Sequence, residues 1–152
     1  MAAGLPRTQA RRAAVQALYQ ALVNEQAPDK AELDFVMAEY ANKIDKSYFQ
    51  TLVSGVLKNI DEIDSELSHA VDRDLKAVDP VEASVLRLAV FEYMHRLDIP
   101  YRVVLNEAVE LAKSFGGEQG HKYVNGVLDK MGARLREVEY QAAKTKREQK
   151  KS

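Results

Sequence analysis

Apolar residues recur every three or four positions along nearly the whole chain, and no stretch shows a sustained two-residue alternation. This spacing puts apolar side chains on one face of an α-helix, whereas a half-buried strand would need alternation. A first helix is predicted to start near Thr8, a good N-cap residue, and to run to about Glu25. The positions expected on its buried face are Ala14, Leu18, Ala21 and Leu22.

Two more helices are predicted before the middle of the chain. The apolar stripe of the second helix comprises Leu33, Met37, Tyr40 and Ile44. The third helix is predicted to be long, from about Lys46 to His69, and Gly55 within it indicates close packing against another helix. The polar residues 68–79 are then predicted to form a joint.

Three strongly helical segments follow this joint. Asp79 is a predicted N-cap and Pro80 the first helical residue, where the missing N–H of proline costs nothing. Further helices are predicted at about 103–115 and 119–136, and beyond Glu139 the chain has almost nothing to bury. The pattern therefore predicts an all-α domain over residues 1–139, with packed subbundles at about 7–69 and 80–136, and a basic, disordered tail at 140–152.

The composition excludes several classes of protein. The 152 residues include no cysteine, which leaves no disulfide framework and no thiolate zinc site. No apolar run approaches the ~18 residues of a membrane-spanning helix, so we expect no membrane association through such a segment. The first residues also lack the apolar segment of a secretory signal, which makes the cytoplasm the expected compartment.

The net charge of −1 conceals a segregation of charge along the chain. Residues 1–12 carry three arginines and no acid, and residues 130–152 carry eight Lys or Arg against three Glu. The middle of the chain is therefore acidic. Basic ends are compatible with a polyanion such as RNA, and an acidic middle with a basic protein. The alternative is that the charged ends only keep the protein soluble.

The chain carries no recognisable catalytic or metal-binding motif. His69, His95 and His121 lie far apart in the sequence, and no H-E-x-x-H is present. Residues 116–122 resemble a phosphate-binding loop only weakly, because they lack the final Gly-Lys-Ser/Thr and follow a helix rather than a strand. We therefore expect no catalytic residue, no metal and no cofactor.

Side chains suited to RNA cluster on the first predicted helix. They are Arg7, Arg11, Arg12, Gln16 and Tyr19, spaced so that they share or border one face. Arginine binds phosphate, glutamine can hydrogen-bond a base edge, and a tyrosine ring can stack on an unpaired base. Lys122 and Tyr123 repeat this chemistry where the last helix begins. The two clusters predict a site for single-stranded RNA, although each by itself is also compatible with an ordinary polar helix surface.

Five longer motifs are specific in sequence and in order. They are VQALY at 15–19, VLRLAVFE at 85–92, IPY at 99–101, NEAVELAKSFG at 106–116 and HKYVNGVLDK at 121–130. Over about residues 7–136 the chain resembles the NusB family of bacterial transcription antitermination factors. The resemblance implies about seven helices in two packed three-helix subbundles, and no enzymatic activity.

The resemblance also implies binding partners. NusB proteins bind boxA, a short linear RNA element of ribosomal RNA leaders, together with NusE, which is also a small-subunit ribosomal protein. The complex joins elongating RNA polymerase with other Nus factors. Carried over by position, the RNA-binding residues are Arg7, Arg11, Gln16, Tyr19, Gln119, Lys122 and Tyr123. The position of Glu82 implies contact with NusE, and we place Val85 and Ala89 in the same surface.

Two residues depart from the pattern common in the family. Gln119 stands where an acidic residue is frequent, which changes a polar contact, and Tyr123 stands where phenylalanine is frequent, which preserves stacking. Two alternative functions remain open at this stage. One is a detached NusB-like domain of a ribosomal RNA methyltransferase, and the other is a helical protein-binding adaptor or homodimer without a role in RNA binding.

Overall fold

The computed structural model describes residues 5–40, 43–115 and 118–151, and in these residues it contains eight α-helices and no strand. The helices are α1 (Leu5–Asn24), α2 (Lys30–Ala38), α3 (Lys46–Lys58), α4 (Ile60–Ser68), α5 (Pro80–His95), α6 (Tyr101–Phe115), α7 (Glu118–Leu135) and α8 (Glu137–Lys151). A short 3-10 helix, Leu75–Ala77, lies in the joint before α5. The all-α fold is confirmed, with a helix count close to the predicted seven.

Aspartates cap three of the helices. The side chains of Asp29, Asp45 and Asp79 accept hydrogen bonds from backbone N–H groups in the first turns of α2, α3 and α5. These bonds satisfy donors that have no partner within the helix. Asp79 and Pro80 thus have the predicted roles. Thr8 does not cap α1, which begins earlier, at Leu5, and its hydroxyl donates to Glu107 Oε1 at 2.9 Å.

The long third helix predicted from the apolar pattern is divided in two. Asn59 leaves the helical conformation (φ −111°, ψ 22°), and its side-chain amide donates to the Gly55 carbonyl at 2.8 Å. Asparagine competes in this way with the helical hydrogen bonds, which apolar periodicity does not reveal. The second helix likewise ends at Ala38, so Tyr40 and Ile44 lie beyond it although Ile44 is buried.

Helix α5 lies at the centre of the molecule. It packs against α1, α3 and α4 on one side and against α6 and α7 on the other, and the buried residues of both groups form one connected core. Close approach of α3 and α5 explains Gly55, because a Cβ there would lie 2.3 Å from ring atoms of Phe91. No helix in the described part of the chain has the length and apolar character needed to cross a membrane.

The C-terminal segment is helical, which corrects the prediction of a disordered tail. The Tyr140 ring meets the Tyr101 ring edge-on at 6.0 Å, and Glu139 accepts a hydrogen bond of 2.7 Å from the backbone N–H of Tyr101. These contacts anchor the first turn of α8 to the start of α6. The following residues are mostly exposed, and Ala, Gln, Lys, Arg and Glu favour the helix there by their intrinsic propensity.

Candidate nucleic-acid interface

Arg12 connects the middle of α1 to the end of α6. Its guanidinium donates to Ser114 Oγ at 2.6 Å and lies 5.6 Å from the centroid of the Phe115 ring. Helix α7 begins at Glu118, and three residues of chain reach at most about 11 Å. The first turn of α7, with exposed Gln119 and Lys122, therefore starts near the arginine of α1.

Gln16 and Tyr19 extend this surface along α1. Tyr19 is exposed, and the Gln16 side-chain oxygen accepts a hydrogen bond of 2.6 Å from the Tyr40 hydroxyl. Burial raises the pKa of Tyr40, while the nearby positive charge of Arg12 opposes that rise. Tyr40 was predicted only as part of an apolar stripe. Its place beside α1 depends on how the chain continues after α2, so nothing in the sequence indicated its contact with Gln16.

Tyr123 joins α7 to the joint between α4 and α5. Its hydroxyl donates to Asp72 Oδ1 at 3.3 Å, and the Arg73 guanidinium lies 5.1 Å from its ring centroid. The hydrogen bond from Arg73 lowers the pKa of Asp72, and burial raises the pKa of Tyr123. Asp72 and Arg73 were not predicted to belong to the site, because a polar joint carries no signal of the helix that it contacts.

Arg73 also brings this cluster towards the C-terminal end of α1. It lines a groove of about 660 Å³ together with Leu22 and Val23, the residues one turn beyond Tyr19. Arg12 therefore links α1 to the end of α6, three residues before α7 begins. Arg73 packs on Tyr123 of α7 and lines a groove with the C-terminal end of α1. Exposed or half-buried cations, amides and aromatic rings from α1, the turn after α2, the joint and α7 border this region. We call it the α1–α7 surface, and it comprises Arg12, Gln16, Tyr19, Tyr40, Arg73, Gln119, Lys122 and Tyr123.

Arg11 does not belong to the α1–α7 surface, which corrects its prediction as a phosphate contact. Only 3% of its side chain is exposed, and its Nε and Nη2 donate to the Glu92 carboxylate at 3.0–3.1 Å. The Tyr48 hydroxyl donates to the same carboxylate, and Glu107 lies 3.5 Å from Arg11 Nη1. A buried cation needs such partners, and here they occupy its donors.

Arg7 lies one turn before Arg11 and is half-buried. Its guanidinium is 4.4 Å from the centroid of the Tyr48 ring, whose hydroxyl donates to Glu92, so Arg7 packs on a residue that contacts the buried ion pair. Glu92, which follows the apolar run Leu88-Ala89-Val90-Phe91 of α5, was the available sequence signal for a buried cationic partner. Arg7 keeps a solvent-accessible part, but it is separated from Arg12 by more than one helical turn.

Of the residues predicted to contact NusE, some are buried in the core and one lies partly at the surface. Val85 and Ala89 are fully buried in the core face of α5, so their prediction as partner contacts is wrong. Their apolar spacing reflects packing. Glu82 is half-buried at the first turn of α5, where its Oε2 would lie 2.9 Å from a Cβ placed on Gly120. Burial, followed by the charge of Asp79, raises the pKa of Glu82.

Comparison with known proteins identifies the family. The sequence-family model described as "NusB family" matches residues 8–133 of the chain. The chain is 49% identical over 138 residues to the transcription antitermination protein NusB of Pseudomonas savastanoi pv. phaseolicola, covering 91% of this chain and 84% of the relative. It is 46% identical over 141 residues to that of Hahella chejuensis, with 93% and 95% covered.

The chain belongs to the NusB family. Its fold is similar to that of T. maritima NusB, with a TM-score of 0.75, 32% identity, and coverage of 83% of this chain and 89% of that one. It is equally similar, at a TM-score of 0.75 and 28% identity, to a chain of a solved complex of the antitermination factors NusB and NusE with dsRNA. That match covers 90% of this chain and 96% of the other.

The match to NusB relatives spans most of each of them, which distinguishes these relatives from proteins that carry a large additional catalytic domain. Within residues 5–40, 43–115 and 118–151, no group of three or more His, Asp or Glu side chains could hold a metal ion. Side chains suited to binding in this NusB fold include the cations, amides and rings of the α1–α7 surface.

Proposed function

We propose that this NusB-family protein is a transcription antitermination factor that acts in the cytoplasm. It binds the boxA RNA of ribosomal RNA leaders together with NusE, and the complex joins elongating RNA polymerase. The observation that carries this proposal is family membership, since relatives 46–49% identical to the chain are named transcription antitermination proteins. The protein acts by binding and not as an enzyme.

The α1–α7 surface supports a role in holding unpaired RNA. Tyr19 and Tyr123 offer rings on which splayed bases can stack, and Arg12 and Lys122 offer charge to the phosphates. Gln16 and Gln119 add amide groups that can hydrogen-bond base edges. Arg11 contributes indirectly, because its buried pair with Glu92 fixes α1 against α5 and so orients Arg12.

Glu82 supports contact with NusE close to the RNA. It lies beside Gly120 of α7, three residues before Tyr123, so a partner on Glu82 would adjoin the α1–α7 surface. A basic ribosomal protein there would widen the cationic surface open to RNA. The pair would then bind RNA more tightly than either protein alone, because each ligand finds more contacts when the other is present.

A fluorescence titration tests this function. Labelled boxA RNA is titrated with the protein, with NusE, and with both together, against scrambled RNA of equal composition. We expect the two proteins together to bind boxA most tightly. Each protein alone should show little preference for boxA over the scrambled RNA. A duplex RNA arm is needed because the solved NusB–NusE complex contains dsRNA. Equal binding of boxA and scrambled RNA by the protein pair would contradict the proposal.

A further inference from the structure

A second cationic surface lies between α6 and α8, outside the α1–α7 surface. It is a groove of about 440 Å³ with four positively charged side chains in its lining. The lining residues are Arg102, Asn106, Ala143, Lys146, Arg147 and Lys150. The apolar pattern gave this segment no function, because its helix has few residues to bury.

The spacing of the cations on α8 makes them a continuous face. Lys146, Arg147 and Lys150 follow Ala143 at intervals of three, four and seven residues, which places all of them on the side of α8 that faces Arg102 of α6. A helix face turned towards a neighbouring helix is ordinarily apolar. Here it holds like charges together, an arrangement that a bound anion would stabilise.

The cations of the groove lack an ion-pair partner in the part of the chain that the structure describes. Among the ion pairs formed by residues 5–40, 43–115 and 118–151, none involves Arg102, Lys146, Arg147 or Lys150. Asp129 lines an adjacent depression with Arg102 and Arg147, and its carboxylate accepts a hydrogen bond of 3.2 Å from the Tyr101 hydroxyl. The groove therefore keeps a strong excess of positive charge.

The groove is continuous with the α1–α7 surface along one face of α7. The adjacent depression is also lined by Asn125 and Gly126, which follow Lys122 by three and four residues and so lie on the same side of the helix. A Cβ on Gly126 would meet nothing within 4 Å, so packing within the protein does not require glycine there. Glycine in a helix interior costs about 1 kcal/mol relative to alanine, and it leaves the backbone open to close approach by a ligand.

We propose that this groove binds the phosphodiester backbone of RNA that flanks the segment held at the α1–α7 surface. The inference rests on the proposed function and extends it, because it assigns the α6–α8 cations to the same RNA strand. Phosphates beside Arg102 and α8 would release counterions and add affinity without reading sequence. RNA is favoured over an acidic polypeptide because the groove continues into a surface that also carries rings for stacking.

Two RNAs and two charge-matched variants test the inference. The RNAs are a labelled boxA oligonucleotide and the same element extended on both sides by unstructured RNA. The test variant is Lys146→Gln/Arg147→Gln/Lys150→Gln. The control variant, which removes three exposed cations outside α8, is Lys30→Gln/Lys46→Gln/Lys58→Gln. Both are assayed with NusE over a range of salt concentrations, and circular dichroism verifies that helix content is kept.

For the extended RNA, we expect the slope of log K against log salt to be shallower by about 2 in the test variant, since each single-strand phosphate contact contributes about 0.7. The control variant should behave as the wild-type protein, and the short RNA should bind all three alike. Equal losses in both variants, or no loss in the test variant, would overturn the inference.

Two further outcomes distinguish this inference from failure of the proposed function and from binding of an acidic polypeptide. If the wild-type protein with NusE fails to bind the short RNA, the proposed function itself fails. If polyglutamate of matched charge competes with the extended RNA at the same concentration as unlabelled RNA, and the test variant abolishes its binding, then the groove recognises acidic polypeptide and the assignment to RNA is wrong.

Discussion

Arg11 and Arg12 are adjacent in sequence and have opposite environments. Consecutive residues differ by about 100° around a helix, so one guanidinium reaches Glu92 in the core and the other Ser114 at the surface. The sequence did not reveal which was buried, because the inner face of α1 is built largely from small residues. Beside Ala10 and Ala14, both fully buried, a long arginine side chain can lie where a large apolar residue would otherwise mark the core.

Removing one partner of the buried ion pair should destabilise the fold. Arg11→Gln or Glu92→Gln leaves the other charge buried without its partner, and we expect each to lower the free energy of unfolding by about 3–5 kcal/mol. The double variant Arg11→Met/Glu92→Met should lose less than the sum, because it leaves neither charge unpaired. Urea denaturation measures all three. Arg12→Gln is the matched control, expected within about 0.5 kcal/mol of wild type, and additive losses in the double variant would contradict the coupling.

Tyr19 is the residue of α1 whose removal should affect RNA binding most clearly. It is 38% exposed, so Tyr19→Ala should leave the unfolding temperature nearly unchanged. Loss of a stacked base should weaken RNA binding by about 1–3 kcal/mol, measured by fluorescence titration with boxA RNA and NusE. Tyr19→Phe retains the ring and should bind as the wild type does. Unchanged affinity in Tyr19→Ala would remove this residue from the site.

At the scale of helices, apolar periodicity predicted α5, α6 and α7 well because each carries a strong inward face and a recognisable boundary. It failed where a polar side chain decides the backbone, as at Asn59 between α3 and α4. It failed again at α8, where helix propensity and a few contacts around Tyr140 order a segment that has no apolar face of its own. The groove beside α8 was hidden for the same reason.

Two helical glycines should respond to alanine in opposite directions. At Gly55 the added Cβ would lie 2.3 Å from the Phe91 ring, so α3 and α5 must separate or the ring must move, and we expect a loss of about 1–3 kcal/mol in unfolding free energy. At Gly126 the space is open, and Gly126→Ala should gain up to about 1 kcal/mol from helix propensity. Urea denaturation of both variants measures the difference. Changes of the same sign would contradict the packing of α3 against α5.

At the scale of the whole molecule, the α1–α7 surface depends on α5, which lies between the first and last parts of the core. Arg12 and Tyr123 are more than a hundred residues apart in sequence, and we assign them to one surface because α1 and α7 both pack on the same central helix. Periodicity identified the helices but not their arrangement, so the two clusters could be joined only through the resemblance to a family. The contacts through Phe115 and Arg73 had no sequence signal at all.

Because Glu82 adjoins α7, partner binding and RNA binding should be separable by reversing one charge. Glu82→Lys places a cation where a basic NusE would approach, so we expect its affinity for NusE to fall at least tenfold by fluorescence titration. Binding of boxA RNA without NusE should not weaken, whereas the gain in RNA affinity on adding NusE should disappear. Glu62→Lys on exposed α4 carries the same charge change and should behave as wild type. Full NusE affinity in Glu82→Lys, with an unfolding temperature equal to that of the control, would move the NusE contact away from the start of α5.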